Sequence, residues 1–202
     1  MSETIPAPIS TLAFYEANAE AYVAQTWDLD LVDLYEWFLA HVPHGGEVLD
    51  AGSGSGRDTA AFLRRGYRVT AFDASARLAA LSSEATGQPT HVLRFDEVSW
   101  RRQFDGVWAI ASLLHVPEAE LPDALNRLAQ ALKPGGVLFA TFQEGMGTNV
   151  RDGRFYQFVS RDDIHKLVES NPLLDLVDIR READPNRRKI SWLQVLARRR
   201  IQ

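Results

Sequence analysis

One stretch of bare backbone constrains this chain more than any other feature. Val48-Leu49-Asp50-Ala51-Gly52-Ser53-Gly54-Ser55-Gly56 runs from an apolar strand signal into the helical pattern Arg57–Arg65. Three glycines in five residues let the chain turn sharply and let a ligand approach the peptide groups beside a helix N-terminus. The turn therefore demands a buried strand before it and a helix after it. Gly66 then stands where a helix C-cap belongs.

The alternation continues downstream. Tyr67–Phe72 reads as a second strand, and Ser75 as the N-cap of a helix to about Thr86. A short strand is expected near His91–Phe95, and Phe104–Ala111 is apolar enough to be buried on both faces. Leu121, Leu125, Leu128 and Leu132 form a helical stripe, ended by Lys133-Pro134-Gly135-Gly136 before the fifth strand, Val137–Phe142. Ser160 and Asp163 make a capping box, and two last strands, Leu174–Arg181 and Lys189–Ala197, are joined by a polar turn. Two strands so closely connected must pair as a hairpin. The pattern predicts an α/β fold: a doubly wound, seven-stranded, mostly parallel sheet with an antiparallel C-terminal strand and helices on both faces.

At 202 residues the chain suits a single domain. Its expected parts are an N-terminal helical cap (1–45), a cofactor-binding core (46–143), and a closing segment (144–202) of substrate loop, helix and hairpin. The cap carries Leu31, Leu34, Phe38 and Val42 on one helix face. There is no cysteine, which excludes disulfides, thiolate nucleophiles and Cys-ligated metal sites. His41 and His44 have a metal-pair spacing but no third ligand, so no metal is expected. The net charge of −5 argues against a nucleic-acid binder working by a general positive field. Basic residues do gather late, at Arg180, Arg181, Arg187, Arg188, Lys189 and Arg198–Arg200, and alternation along a solvated hairpin face accounts for most of them. The longest apolar run falls far short of a membrane span, and the first ten residues lack a signal peptide's basic start and apolar core. A cytoplasmic protein, monomer or homodimer, is expected.

The chemistry concentrates where open α/β sheets place ligands, at the C-terminal strand edge. Asp73, 21 residues beyond Gly52 at the end of the second strand, can accept hydrogen bonds from both hydroxyls of a ribose. The glycines are spaced G-x-G-x-G rather than G-x-G-x-x-G, and Asp50 sets a negative charge beside the loop. That charge would repel a pyrophosphate and attract a cationic amino-acid head. Arg57, at the first turn of the helix, is a candidate partner for a ligand carboxylate. His115 is the one histidine at a strand's C-terminal edge and so a candidate general base. The glycine-bearing segment Gln143–Ser160 is the expected specificity element, with Arg154, Phe155 and Tyr156 as substrate contacts and Arg151 or Arg154 suited to an anionic acceptor.

VLDAGSGSG, AFDAS, FDGVWAIASLLHV and LKPGGVLF, in this order, resemble four motifs of the class I S-adenosylmethionine (SAM)-dependent methyltransferases. ASLLHVP, LKPGGVLFATF and the later GRF are similar to the small bacterial tellurite-resistance-type group. The resemblance implies SAM as cofactor, S-adenosylhomocysteine as product and a small molecule as methyl acceptor. It places Ser53 and Ala74 in the cofactor loops and Asp96, or its neighbour Glu97, at the adenine. Backbone at Ala111 and Ser112 would meet the methionine amine, and Tyr22, with Tyr15, would lie in a segment folded over the cofactor. Two other readings share the sheet: a nicotinamide-dependent oxidoreductase and a non-catalytic SAM-binding module.

Overall fold

In the computed structural model, residues 7–183 and 190–201 are described. The chain opens with α1 (Ala7–Thr26), kinked at Asn18, and α2 (Val32–Leu39). There follow β1 (Glu47–Ala51), α3 (Arg57–Arg64), β2 (Arg68–Asp73), α4 (Ala76–Thr86) and β3 (Thr90–Val92). Then come β4 (Phe104–Ala109), α5 (Leu121–Ala131), β5 (Leu132–Gln143), β6 (Thr148–Arg151), β7 (Arg154–Gln157), α6 (Arg161–Glu169), β8 (Leu174–Ala183) and β9 (Ser191–Arg199). Seven strands form one sheet in the order β3-β2-β1-β4-β5-β9-β8. The first five are mutually parallel, and β9 runs antiparallel between β5 and β8. This is the expected doubly wound architecture.

Alternating side chains feed two cores, one on each face. Val48, Trp108, Phe139 and Leu196 point to the face covered by Tyr35 and Phe38 of α2 and Phe62 of α3. Trp108 and Phe139 stack there with centroids 4.7 Å apart. Leu49, Val107, Leu138 and Val195 point to the other face, against Leu125 and Leu128 of α5 and Ile164 and Val168 of α6. Gly106 exists for packing: an added Cβ would stand 2.5 Å from Phe38 Cζ. Both helix starts expected from polar caps form, with Ser75 Oγ accepting from Leu78 N–H and Ser160 and Asp163 closing a capping box.

Several boundaries differ from expectation. The third strand stops at Val92, because Phe95–Glu97 tightens into a 3-10 turn held by Glu97 on the Arg94 amide. The Lys133–Gly136 turn lies inside β5 as an irregularity in its pairing with β4. Val42 is buried but lies beyond the end of α2, whose own buried positions are Tyr35 and Phe38. The largest difference falls in Gln143–Ser160, expected as a glycine-rich loop. It holds the hairpin β6–β7, turned at Asp152-Gly153 with φ of 53° and 77°. Two successive positive φ values are what a two-residue hairpin turn requires, and Asp-Gly supplies them.

The late basic residues are mostly engaged within the chain. Arg199 donates to the carbonyls of Ala129, Gln130 and Leu132 at the C-terminal end of α5, where a cation complements the helix dipole. Arg180 lies over the Trp37 ring, Arg181 pairs with Glu144, Arg198 donates to the Gly135 carbonyl, and Arg200 pairs with Asp175. Arg187, Arg188 and Lys189 lie outside the described residues. No helix among the described residues is long and apolar enough to cross a membrane.

Candidate active site

Parallel pairing brings the ends of β1, β2, β3 and β4 to one edge, so the segments 52–56, 73–75, 93–97 and 110–116 converge. In the glycine loop, an added Cβ on Gly52 would stand 2.5 Å from Ser112 Cβ, and one on Gly54 3.1 Å from Tyr22 Cε1. Both positions also have positive φ, 81° and 53°. More telling is where the loop's N–H groups go. Gly52 and Ser53 both donate to the Phe72 carbonyl at 2.9 Å, Gly54 donates to Asp73 Oδ2 at 2.8 Å, and Gly56 donates to the Ser53 carbonyl at 2.9 Å. A phosphate-binding loop aims such donors at its ligand; this one has turned four of them inward.

Asp73 is fixed from both sides. Its Oδ2 takes the Gly54 amide and its Oδ1 the Ser75 amide at 2.9 Å, while the carboxylate lines the cavity. Burial raises its pKa, and the backbone amides work in the opposite direction. Each oxygen keeps lone-pair capacity for a further donor.

Asp50 stands differently from its expected role. It lines neither cavity; it is buried beneath the loop and accepts from Thr59 Oγ1 at 2.6 Å. Burial, with the nearby Asp58 carboxylate, pushes its pKa up to about 8. Enclosed beneath the loop, the carboxyl does not face a ligand phosphate as the sequence suggested, and burial disfavours its charged form. The inward-turned amides disfavour a phosphate instead. Arg57 is likewise committed: its guanidinium binds the neighbouring Asp58 through two contacts, at 2.7 and 2.9 Å. Asp58 also accepts from Tyr35 Oη and Trp108 Nε1 at 2.5 and 2.9 Å, making a buried hub that ties α2, α3 and β4 together. A single acidic residue in the first turn of a helix gave no sequence sign of this role.

At the exit of β4, Ala111 adopts φ of 48°, a backbone conformation that L-residues seldom hold without surrounding support. Its amide donates to Thr141 Oγ1 at 2.8 Å, and Ser112 Oγ donates to the Ala51 carbonyl at 2.8 Å. Thr141 is a site residue that the sequence reading missed; its signal was one polar residue in the apolar run VLFATF.

His115 lines the cavity with both ring nitrogens engaged. Nδ1 lies 2.6 Å from the Phe155 carbonyl, which can only accept, so Nδ1 carries the proton. Nε2 then accepts from Tyr15 Oη at 2.9 Å. Burial pushes the imidazole pKa down to about 4, which leaves it neutral at pH 7. Arg154, Phe155 and Tyr156, expected against substrate, line neither cavity. Hairpin pairing turns them toward the protein: the Phe155 carbonyl holds His115, Tyr156 packs 5.1 Å from that ring, and Arg154 lies over Phe14 at 4.5 Å. The Phe155 amide is anchored on α1 by donating to Thr11 Oγ1 at 2.8 Å. The three residues are the wall behind the site.

Two cavities result. The first, about 380 Å³, lies under α1 and is lined by Tyr15, Tyr22, Gly52, Gly54, Asp73, Ala74, Asp96, Ala111 and His115, among others. Of the two acidic residues offered for the adenine, Asp96 lines this cavity and Glu97 does not. The second, about 480 Å³, lies toward β5, β8 and β9, where Ser53 and Arg57 face it. Tyr22, Gly52, Ile110 and Ala111 line both.

Residues 49–140 match the family model for a methyltransferase domain. The strand order above is that of the class I, Rossmann-like methyltransferase fold. Among particular relatives, a demethylmenaquinone methyltransferase of Tropheryma whipplei is 31% identical over 107 residues, covering 48% of this chain and 41% of that protein. The match thus spans about two fifths of the curated relative's length. The Burkholderia thailandensis 1,6-didemethyltoxoflavin N1-methyltransferase, crystallised with bound 1,6-didemethyltoxoflavin and S-adenosylhomocysteine, superposes with a TM-score of 0.77 at 24% identity over 99% of this chain and 93% of that one. The 4+2 cyclase SpnF superposes equally well, TM-score 0.77 at 14% identity over the whole of both chains. The last two similarities establish the fold.

Proposed function

We propose that the chain transfers a methyl group from SAM to a small-molecule acceptor. The observation that carries this reading is the glycine loop whose amides are spent internally beside a fixed carboxylate. Such a loop offers oxygen acceptors to a cationic nucleoside and few donors to a pyrophosphate. The residues present fit the cofactor. Asp73 would hold the ribose hydroxyls and Asp96 the adenine amine, while Gly52, Ser53, Gly54, Ala74 and the strained Ala111 backbone would shape the amino-acid end. SAM, when bound, supplies a methyl group activated by a sulfonium. The chain's own part is to orient the partners and exclude water. Tyr15 and Tyr22, rings 5.1 Å apart edge to face, close the site from α1 and stay neutral, burial raising both hydroxyls.

His115 is assigned the positioning of Tyr15 rather than direct proton abstraction, since its Nε2 already accepts the tyrosine proton. Arg57 and Asp50 act on the loop from below and beside it. We read 1–45, 46–143 and 144–202 as cap, cofactor core and closing segment of one unit, acting in the cytoplasm as a monomer or homodimer without nucleic acid.

The test has two stages. A thermal-shift panel with S-adenosylhomocysteine, SAM and NAD should show stabilisation by the first two only; stabilisation by NAD alone would support the oxidoreductase. Incubating the protein with SAM and acceptor mixtures should then yield products heavier by one methylene, detected by mass spectrometry. Cofactor binding with no such product from any mixture would leave a binding module or a cyclase-type role.

A further inference from the structure

Beyond the cofactor half, we propose that the second cavity is the acceptor site and that it selects neutral or cationic acceptors rich in N–H donors over carboxylates and phosphates. This rests on the methyl-transfer reading, which it deepens by naming a substrate class. The cavity, about 480 Å³, falls in the size range of small-molecule sites. It meets the nucleoside cavity along Tyr22, Gly52, Ile110 and Ala111, so an occupant would lie beside the cofactor's reactive end.

Its lining has a definite chemistry. Leu29, Leu31, Leu34 and Trp192 supply apolar walls, which suit a flat or aliphatic body. The charged groups are Asp30, Asp33, Asp58 and Glu182 against one cation, Arg57. Arg57 is closed in a two-point pair with Asp58, so it offers no anion site. Among the described residues lining the cavity, no other cation is present. Arg151 and Arg154, which the sequence offered to an anionic acceptor, are turned away from it toward Gln143, Tyr156 and Phe14.

Ser53 lines this cavity, with its Oγ enclosed by the chain. Thr141 Oγ1 accepts from the Ala111 amide beside it and retains a proton to donate. Apolar walls and unopposed carboxylates at the rim together favour a donor-rich, uncharged or positive molecule.

Ligand-observed NMR on the protein saturated with S-adenosylhomocysteine tests this with two matched probes, tryptamine and indole-3-acetate, which share a ring and differ in charge. Tryptamine should bind at least about tenfold more tightly, the scale set by unscreened like-charge contact. The surface variant Asp33→Lys with Glu182→Lys should erase or reverse that preference; both positions are exposed, so the fold tolerates them. Equal or tighter binding of indole-3-acetate by the natural chain overturns the proposal. So does binding of neither probe, or a preference unchanged by the charge reversal. Failure of the methyl-transfer reading shows separately, as absence of S-adenosylhomocysteine binding in the same samples.

Discussion

The two halves of the proposed site are built by different means. The nucleoside half is mostly backbone: positive-φ glycines, inward amides and one carboxylate locked by two N–H groups. The acceptor half and the wall behind it are mostly side chains from distant elements: Thr141 of β5, Trp192 and Gln194 of β9, Glu182 of β8, and Leu29–Leu34 from the α1–α2 connection and the start of α2. Backbone geometry tolerates almost no substitution, whereas a side-chain wall can be repacked. The fold can therefore hold one cofactor while changing its acceptor. That the same sheet superposes equally on a methyltransferase and on a cyclase is the same lesson at larger scale.

If this contrast is right, damage to the loop should be severe and indiscriminate. Gly52→Val meets a positive φ and a 2.5 Å approach to Ser112 together. It should lower stability by about 3 kcal/mol and abolish S-adenosylhomocysteine binding, read by chemical denaturation and calorimetry. Near-normal binding would show that the loop is not the cofactor cradle. Asp73→Asn keeps size and removes charge. It should weaken S-adenosylhomocysteine about 10–100-fold, since hydrogen bonds to a charged group contribute about 1.5–3 kcal/mol.

Damage to the wall should instead separate stability from binding. His115 has a folded pKa near 4 against about 6.5 when exposed, so the unfolded chain binds more protons between those values. Its contribution is fully present above pH 6.5 and is lost as pH falls toward 4, amounting to at most about 3 kcal/mol. The variant His115→Gln should flatten that part of the stability–pH curve; an unchanged slope would show that the buried imidazole does not titrate this way. Tyr15→Phe removes the donor to Nε2 while keeping the ring. It should slow methyl transfer about tenfold or more while leaving S-adenosylhomocysteine affinity within about threefold, which is the size of one neutral hydrogen bond. Smallest of all, Ala111→Gly relieves a positive φ and should raise stability by less than about 1 kcal/mol.

What was legible in the sequence follows the same divide. Val48–Ala51, the glycine turn and Asp73 are contiguous, and local rules of strand, turn and helix start suffice to read them. Ser75, Ser160 and Asp163 announced their helices because a cap bonds within three residues. Asp50 was read as a facing charge because sequence shows proximity along the chain and not depth; the sheet buries it. Arg154, Phe155 and Tyr156 were placed against substrate because an Asp-Gly turn was read as loop, and hairpin pairing then decides which way each side chain faces. The pairs Tyr15–His115 and Ala111–Thr141 join residues 100 and 30 positions apart, and no local pattern encodes them.

Isothermal titration with S-adenosylhomocysteine and with NAD, under identical conditions, addresses the central claim most directly. A loop with its amides turned inward predicts saturable heat from S-adenosylhomocysteine and none from NAD. Saturable binding of NAD, with no response to the sulfur nucleoside, would contradict the account.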